Sequence, residues 1–482
     1  MEKVWKSIKP SNNPSDAIYS QSTGQTQIVF PISAEDVFLK GGSVRLTGSV
    51  YYKIYTDAGA ETFIGSGDDV VATPANLEKK LYPDWRGGIF SCIQQLNIRS
   101  LRSGQEMEGI QNYNQLMSML QPVLHSEQDY VAAKSSTDIA CNDLNGALGL
   151  IKTDDNAVRE VEESFASRVY SGLLYNSEPI PLSNQWGTGG LELTFRLEVP
   201  QQVLSDLNET GGGASNGIGA QFFIRDPELQ YEVLKPSPEL LLQLRQNPVS
   251  RFEYNSISSL ESVVNSGDHN AVFNLGNLQQ VVSVVGKFVP TAHLNSYSRW
   301  GFSSGCPRNS TAAITATAGY ENRAEIKRLR FTLGGQLDPY EFSVSKNVST
   351  PNPISNPIYS QLMRNGLDAV REFVTLNHTI PDGRIKADND INLQQSRISG
   401  VAGAPYVNNV SAVKDTYKGG ELFLVGANYS PFGDGRPVQN TTFGVELQTN
   451  IADAHNSPNT LYLFLLTKNV LEAGGGLVSV SD

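Results

Sequence analysis

Along this chain, apolar residues alternate with polar ones in short runs far more often than they recur at helical spacing. The longest early run lies at 44–55, where Val44, Leu46, Val50, Tyr52 and Ile54 share one face with Gly48, and Arg45, Thr47, Ser49, Tyr51 and Lys53 share the other. A period of two puts successive side chains on opposite sides of a strand, so the run predicts a half-buried antiparallel strand. Each aliphatic fully buried on such a face contributes roughly 1.5–3 kcal/mol. The cleanest alternation is at 190–199, with Leu191, Leu193, Phe195, Leu197 and Val199 on one side. A brief apolar piece, Ile28, Phe30 and Ile32, precedes the first of these runs, and further strands are predicted at 221–224, at 229–234, as a pair over 278–289, and at 443–447. The run 461–466 is apolar without interruption and is expected to be buried on both faces. Helical spacing occurs at 156–170, through Val158, Val161, Phe165 and Val169, and at 239–244 behind Pro236 and Pro238.

One block occurs twice. Residues 93–101 alternate, Ser103-Gly104-Gln105 turn the chain, and after a connection a helix opens on Tyr113-Asn114-Gln115-Leu116-Met117. Residues 326–333, Gly334-Gly335-Gln336 and Tyr359-Ser360-Gln361-Leu362-Met363 repeat that order with a longer connection. The expected role of Tyr113, Gln115, Leu116 and Met117, and of Tyr359, Gln361, Leu362 and Met363, is structural: the start of a helical insertion whose Leu-Met pair packs onto a sheet. Strands dominate and regular strand–helix alternation is absent, so the physical reading is two all-β sandwiches, each with a helical insertion.

Length supports the division, because apolar cores stop growing near ~250–300 residues and this chain has 482. The 43 glycines and 24 prolines suit a turn-rich chain of short elements. A net charge of −12 argues against gripping nucleic acid over the whole surface, which needs clustered Lys and Arg. One basic cluster stands out: Lys3, Lys6 and Lys9, read as a solvated N-terminal arm or as an arm that docks on a subunit, a membrane or a genome. The three cysteines, Cys92, Cys141 and Cys306, lack metal-ligand spacing and read as buried free thiols. No run approaches a membrane span of ~18 apolar residues, and the N-terminus lacks the apolar core of a signal peptide.

Candidate chemistry is thin. Gly301-Phe302-Ser303-Ser304-Gly305 fits the Gly-x-Ser-x-Gly nucleophile elbow, yet Cys306-Pro307 follows where a helix should start. Asp388-Asn389-Asp390-Ile391-Asn392 begins like a calcium loop but has Leu393 at the glycine position and Ser399 at the bidentate glutamate position. The five histidines are scattered. The reading is a protein without catalytic residues, cofactor or metal, with a serine hydrolase at Ser303 as a minor alternative.

The order of features resembles the double jelly-roll major capsid proteins, the group that includes adenovirus hexon and the virophage and Polinton-type capsid proteins. The resemblance rests on the strand at 44–55, the block at 89–121, Pro179-Ile180-Pro181-Leu182 leading into 191–199, the strand at 229–234 before Pro236-Ser237-Pro238, and the second series through 326–375 to 443–466. It implies two tandem eight-stranded jelly rolls with short helical insertions: an arm at 1–25, a first roll at 26–245, a second at 246–470 and a tail at 471–482. It also implies homotrimeric, pseudo-hexameric capsomers tiling an icosahedral viral shell. Minor capsid or penton proteins would be partners, and the arm at Lys3, Lys6 and Lys9 would face an internal membrane or the genome. The location implied is the virion, after synthesis in the host cytoplasm without secretion. The alternative is a carbohydrate-binding or other β-sandwich binding protein, which would need a concave cluster of aromatic and polar side chains.

Overall fold

A computed structural model describes residues 2–55, 61–63, 81–83, 88–124, 163–176, 178–206, 219–248, 250–264, 267–275, 280–291, 294, 326–334, 336–337, 342–343, 365–366, 368–370, 372–373, 424–429, 436–437, 442–449, 458–474 and 477–481. Eight principal strands occupy the first half: β1 Glu2–Ile8, β2 Gln27–Ile32, β3 Arg45–Tyr55, β4 Ile93–Ser100, β5 Glu106–Gln111, β6 Glu163–Arg168, β7 Leu191–Leu197 and β8 Gly219–Lys235. The second half carries β9 Ser250–Val264, β10 Gly267–Asn274, β11 Gln280–Pro290, β12 Ile326–Leu333, β13 Gln336–Leu337, β14 Val425–Asn428, β15 Thr442–Thr449 and β16 Asn459–Gly474. β17 Leu477–Ser481 closes the chain.

The two halves pair their strands in the same order. In the first, β1-β8-β3-β6 form one sheet and β2-β7-β4-β5 the facing one. In the second, β9-β16-β11-β14 and β10-β15-β12-β13 repeat it, each strand's counterpart lying eight places along. All these pairs are antiparallel, and neighbours in a sheet are mostly distant in sequence, which is the double-sheet jelly roll. The fold is therefore two jelly rolls in tandem.

The duplicated turn is real in both copies. Gly104, in the β4–β5 turn, has φ +71°, and Gly334, between β12 and β13, has φ +63°. That left-handed backbone is costly for residues with a Cβ, which explains glycine at both turns.

Several elements depart from expectation. Residues 163–168 are the strand β6, not a helix, and Phe165, Ser167 and Val169 are buried. A spacing of four satisfies a period of two as well as a helical one, and hydrogen bonding to β3 decides the outcome. The runs at 221–224 and 229–234 are one strand, β8, whose register shifts between Arg225 and Glu228, where Asp226 has φ +48°. The pair expected at 278–289 is likewise the single strand β11. The connection from Gln105 to Tyr113 contains β5, whose Glu-Met-Glu-Gly-Ile-Gln breaks the alternation. Residues 2–8, expected as an arm, are β1, paired with β8 from Glu2 opposite Lys235 to Ile8 opposite Leu229. In the expected tail, β16 runs on to Gly474 and β17 folds back along it. The expected short helix exists as Pro238–Gln246, capped by the Ser237 hydroxyl accepting from Leu240 N, and none of its residues is buried.

Among the described residues, two clusters of apolar side chains hold the fold together, and β16 serves both. Leu461, Leu463 and Leu465 point into the interior of the second roll with Phe288, Phe331 and Phe443. Tyr462, Phe464 and Leu466 point the other way, into a core shared with the first roll. The uninterrupted apolar run is thus explained: one face fills a sandwich and the other fills the seam between sandwiches.

Candidate functional site: the seam between the two rolls

The seam is built from the helical insertions and from strands that meet edge to edge. Helix α1, Tyr113–Leu124, follows β5, and Tyr113, Leu116, Met117 and Leu120 are buried in the shared core. Residues 365–366, 368–370 and 372–373 are helical in the corresponding place of the second roll, and Val370 and Phe373 join the same core. The buried Tyr170 hydroxyl donates to the Phe373 carbonyl, and the buried Lys287 ammonium of β11 donates to the Ser118 hydroxyl of α1. Each insertion thus reaches across to the other roll.

At the centre lies Glu108 of β5, fully buried. Its Oε1 accepts from Gly172 N at 3.0 Å and from Ile257 N at 2.8 Å, and its Oε2 accepts from Leu173 N at 3.0 Å. Gly172 and Leu173 follow β6 of the first roll, whereas Ile257 belongs to β9 of the second. One carboxylate therefore ties three segments together. Burial pushes its pKa up to about 7, against the downward pull of those N–H bonds and of Ser171. Around it, Tyr113 Oη donates to Tyr170 O at 2.7 Å, and both phenols are pushed well above their usual range, chiefly by burial.

Polar contacts continue along the β5–β9 edge. Tyr254 Oη donates to Met107 O at 2.9 Å, Ser259 Oγ to Gln111 O at 2.7 Å, Asn112 Nδ2 to Glu261 Oε2 at 3.1 Å, and Asn176 Nδ2 to Glu253 O at 2.8 Å. Gly172 faces Asn255 so closely that a Cβ there would overlap the Asn255 carbonyl oxygen. Such close, hydrogen-bonded packing supplies a fixed angle between the rolls; Glu108 faces backbone donors, Ser171 and tyrosines, an arrangement for holding rather than for proton transfer to a substrate.

Of the residues singled out by sequence, Tyr113, Gln115, Leu116 and Met117 sit at the seam and are buried. Tyr359, Gln361, Leu362 and Met363 lie outside the described residues, as do Ser303, Cys141, Cys306 and the loop from Asp388 to Asn392. Cys92 is a buried free thiol, pushed up to about 12 by burial. Lys3, Lys6 and Lys9 lie on or just beyond β1: Lys6 pairs with Glu35, and Lys3 and Lys9 are exposed. Sequence reasoning missed Glu108 and Lys287. The available signal was a charge inside an apolar run, Glu108 beside Met107 and Ile110, and Lys287 within Val281–Val289.

No family model matches the chain, and no curated protein matches it at a significant level. Solved structures do. Vp54 of the virus PBCV-1, in a crystal structure fitted into a cryo-EM reconstruction of the virophage Sputnik, is similar over 100% of this chain and 97% of its own, with TM-score 0.53 and 10% identity. The cryo-EM structure of the Sputnik virophage matches over 100% of this chain and 88% of its own, with TM-score 0.53 and 11% identity. A quasi-atomic model of the PBCV-1 virus capsid matches over 100% and 97%, with TM-score 0.51 and 11% identity. At such identities the likeness is one of fold, and it covers both rolls together.

Proposed function

We propose that this protein is a major capsid subunit that self-assembles into trimeric, pseudo-hexameric capsomers of an icosahedral viral shell. The observation that carries the reading is the duplicated strand order locked by a rigid, polar seam, in a fold that the PBCV-1 virus capsid structure shares along the whole chain. Two similar rolls held at one angle present two sixths of a hexagonal outline, so three copies around a threefold axis complete it. A net charge of −12 keeps such subunits soluble and apart before assembly.

Light scattering on the purified full chain tests this. The expected mass is three times 52.5 kDa, with hexagonal outlines in negative stain; a monomer at every concentration would sink the reading. The virion is the location this function requires. Contact of the N-terminal segment with a minor capsid protein, an internal membrane or the genome is a separate part of the proposal. Lys3→Glu with Lys9→Glu preserves β1 while reversing its exposed charge. Loss of co-purifying lipid, nucleic acid or minor protein from assembled particles is the expected result, and unchanged particles would remove that part alone.

A further inference from the structure

The duplication makes one edge of each roll directly comparable. β2 and β10 are the outermost strands of corresponding sheets, and among the described residues each pairs with a single strand, β7 and β15 respectively. Their residues correspond in order: Ile28-Val29-Phe30-Pro31-Ile32 in the first roll, and Ala271-Val272-Phe273-Asn274-Leu275 at the end of β10 and one residue beyond it. In both, the first, third and fifth side chains turn towards the sandwich interior and the valine turns outward.

The free edge of β2 is covered by the chain itself. Ser11 N donates to Val29 O at 2.8 Å, Val29 N donates to Asn12 Oδ1 at 3.0 Å, and Asn12 Nδ2 donates to Gln27 O at 2.8 Å. This cover comes from residues 9–26, which connect β1 to β2. Between β9 and β10 the connection is only 265–266, so the second roll has no equivalent stretch at that place in the chain. Successive residues of an antiparallel strand turn their N–H and C=O groups to opposite sides, and the correspondence with Val29 aims those of Val272 at the open edge. Among the described residues no main-chain partner meets them there. Val272, at 64%, is also the most exposed large apolar side chain among those residues. An uncovered edge of this kind is a template for a further strand, in which main-chain bonds supply affinity and alternate side chains supply specificity.

We propose that the open edge of β10 is a docking site for an extended segment of a second protein, which adds to the sheet β10-β15-β12-β13 as a further strand and lays an apolar side chain against Val272. The first roll shows the chemistry of the occupant: a main-chain N–H for the Val272 carbonyl, and a short side chain whose oxygen, like that of Asn12, accepts from Val272 N. Each copy of this chain already uses its own Ser11 and Asn12 on β2, so the occupant is a different polypeptide. The inference goes beyond the shell reading and does not depend on it.

Residue-resolved hydrogen exchange on the full chain is the first test. The Val29 amide, bonded to Asn12, is expected to exchange more slowly than the Val272 amide. Equal protection of the two, whether held within the chain or built up with concentration by a second copy, overturns the inference. A fluorescent synthetic peptide of residues 8–16 then serves as the probe strand. It is expected to bind with a rise in anisotropy and to slow exchange at Val272, and the same peptide carrying Asn12→Ala should bind about tenfold more weakly for the loss of one hydrogen bond. No binding at millimolar peptide, or protection gained elsewhere than β10, overturns it. In the protein, Val272→Pro removes the outward donor, a change that edge strands tolerate, and should likewise weaken the peptide about tenfold. Val272→Lys, a residue that guards sheet edges, gives the same readout if the proline variant does not fold. Unchanged affinity in a folded variant sinks the proposal. A chain that binds the peptide in this way but never trimerises loses the shell reading and keeps the docking edge.

Discussion

At Glu108 a single carboxyl group senses both rolls, and its pKa sets the sign of a pH effect. The folded value is about 7 against the ordinary 4.5. Between those values the folded chain holds a proton that the unfolded chain has released. The contribution to stability is therefore full below about pH 4.5 and is lost as pH rises through 7. A shift of this size corresponds to about 3 kcal/mol. Calorimetry from pH 4.5 to 7.5 should show the wild type losing stability relative to Glu108→Gln, whose amide does not titrate. An identical pH profile for the two proteins would refute the assignment. At pH 5 the same variant should cost about 1–3 kcal/mol, because one of the three buried N–H groups loses its acceptor. Gly172 tests the close approach beside it. Gly172→Ala pushes a methyl group against the Asn255 carbonyl, and overpacking of this kind costs about 1–3 kcal/mol, read as a lowered melting temperature.

Among the elements, β16 shows how one strand can serve two cores. Phe464→Ala and Leu463→Ala both remove buried apolar volume and should each cost roughly 2–5 kcal/mol. They differ in place: Leu463 lies inside the second roll and Phe464 at the seam. Hydrogen exchange should therefore show β5 and the 171–173 backbone losing protection in Phe464→Ala, whereas Leu463→Ala should chiefly loosen β11 and β15. Equal patterns in the two variants would refute the two-faced reading of β16. The long alternating strands β3 and β7 were legible in sequence because half-burial writes a period of two into the residues themselves. β6 was misread because Phe165 and Val169 satisfy either period. β5 was missed because its buried Glu108 breaks the alternation for a reason that lies in other segments. β1 was missed because its Lys residues describe an exposed edge, and an edge strand looks like a polar tail until its partner β8 is known.

Across the whole molecule, the shared core ties the rolls into one cooperative body. Side chains of β11, β16 and the second insertion are buried together with those of the first roll. The full chain should therefore melt in one calorimetric transition, and a fragment beginning at residue 249 should be insoluble because Tyr462, Phe464 and Leu466 lose their cover. Two separate transitions would show that the seam is weak. What the sequence determined by itself was the strand-rich character, the duplication and the place of the first insertion, since periodicity and turn glycines are local properties of the chain. Only the tertiary structure decided that β1 is a strand, that β16 feeds two cores, and that Glu108 and Lys287 are buried between the rolls. Those outcomes depend on partners supplied from far along the chain: the N–H groups of Gly172, Leu173 and Ile257 for Glu108, the Ser118 hydroxyl for Lys287, and the free edge of β8 for β1.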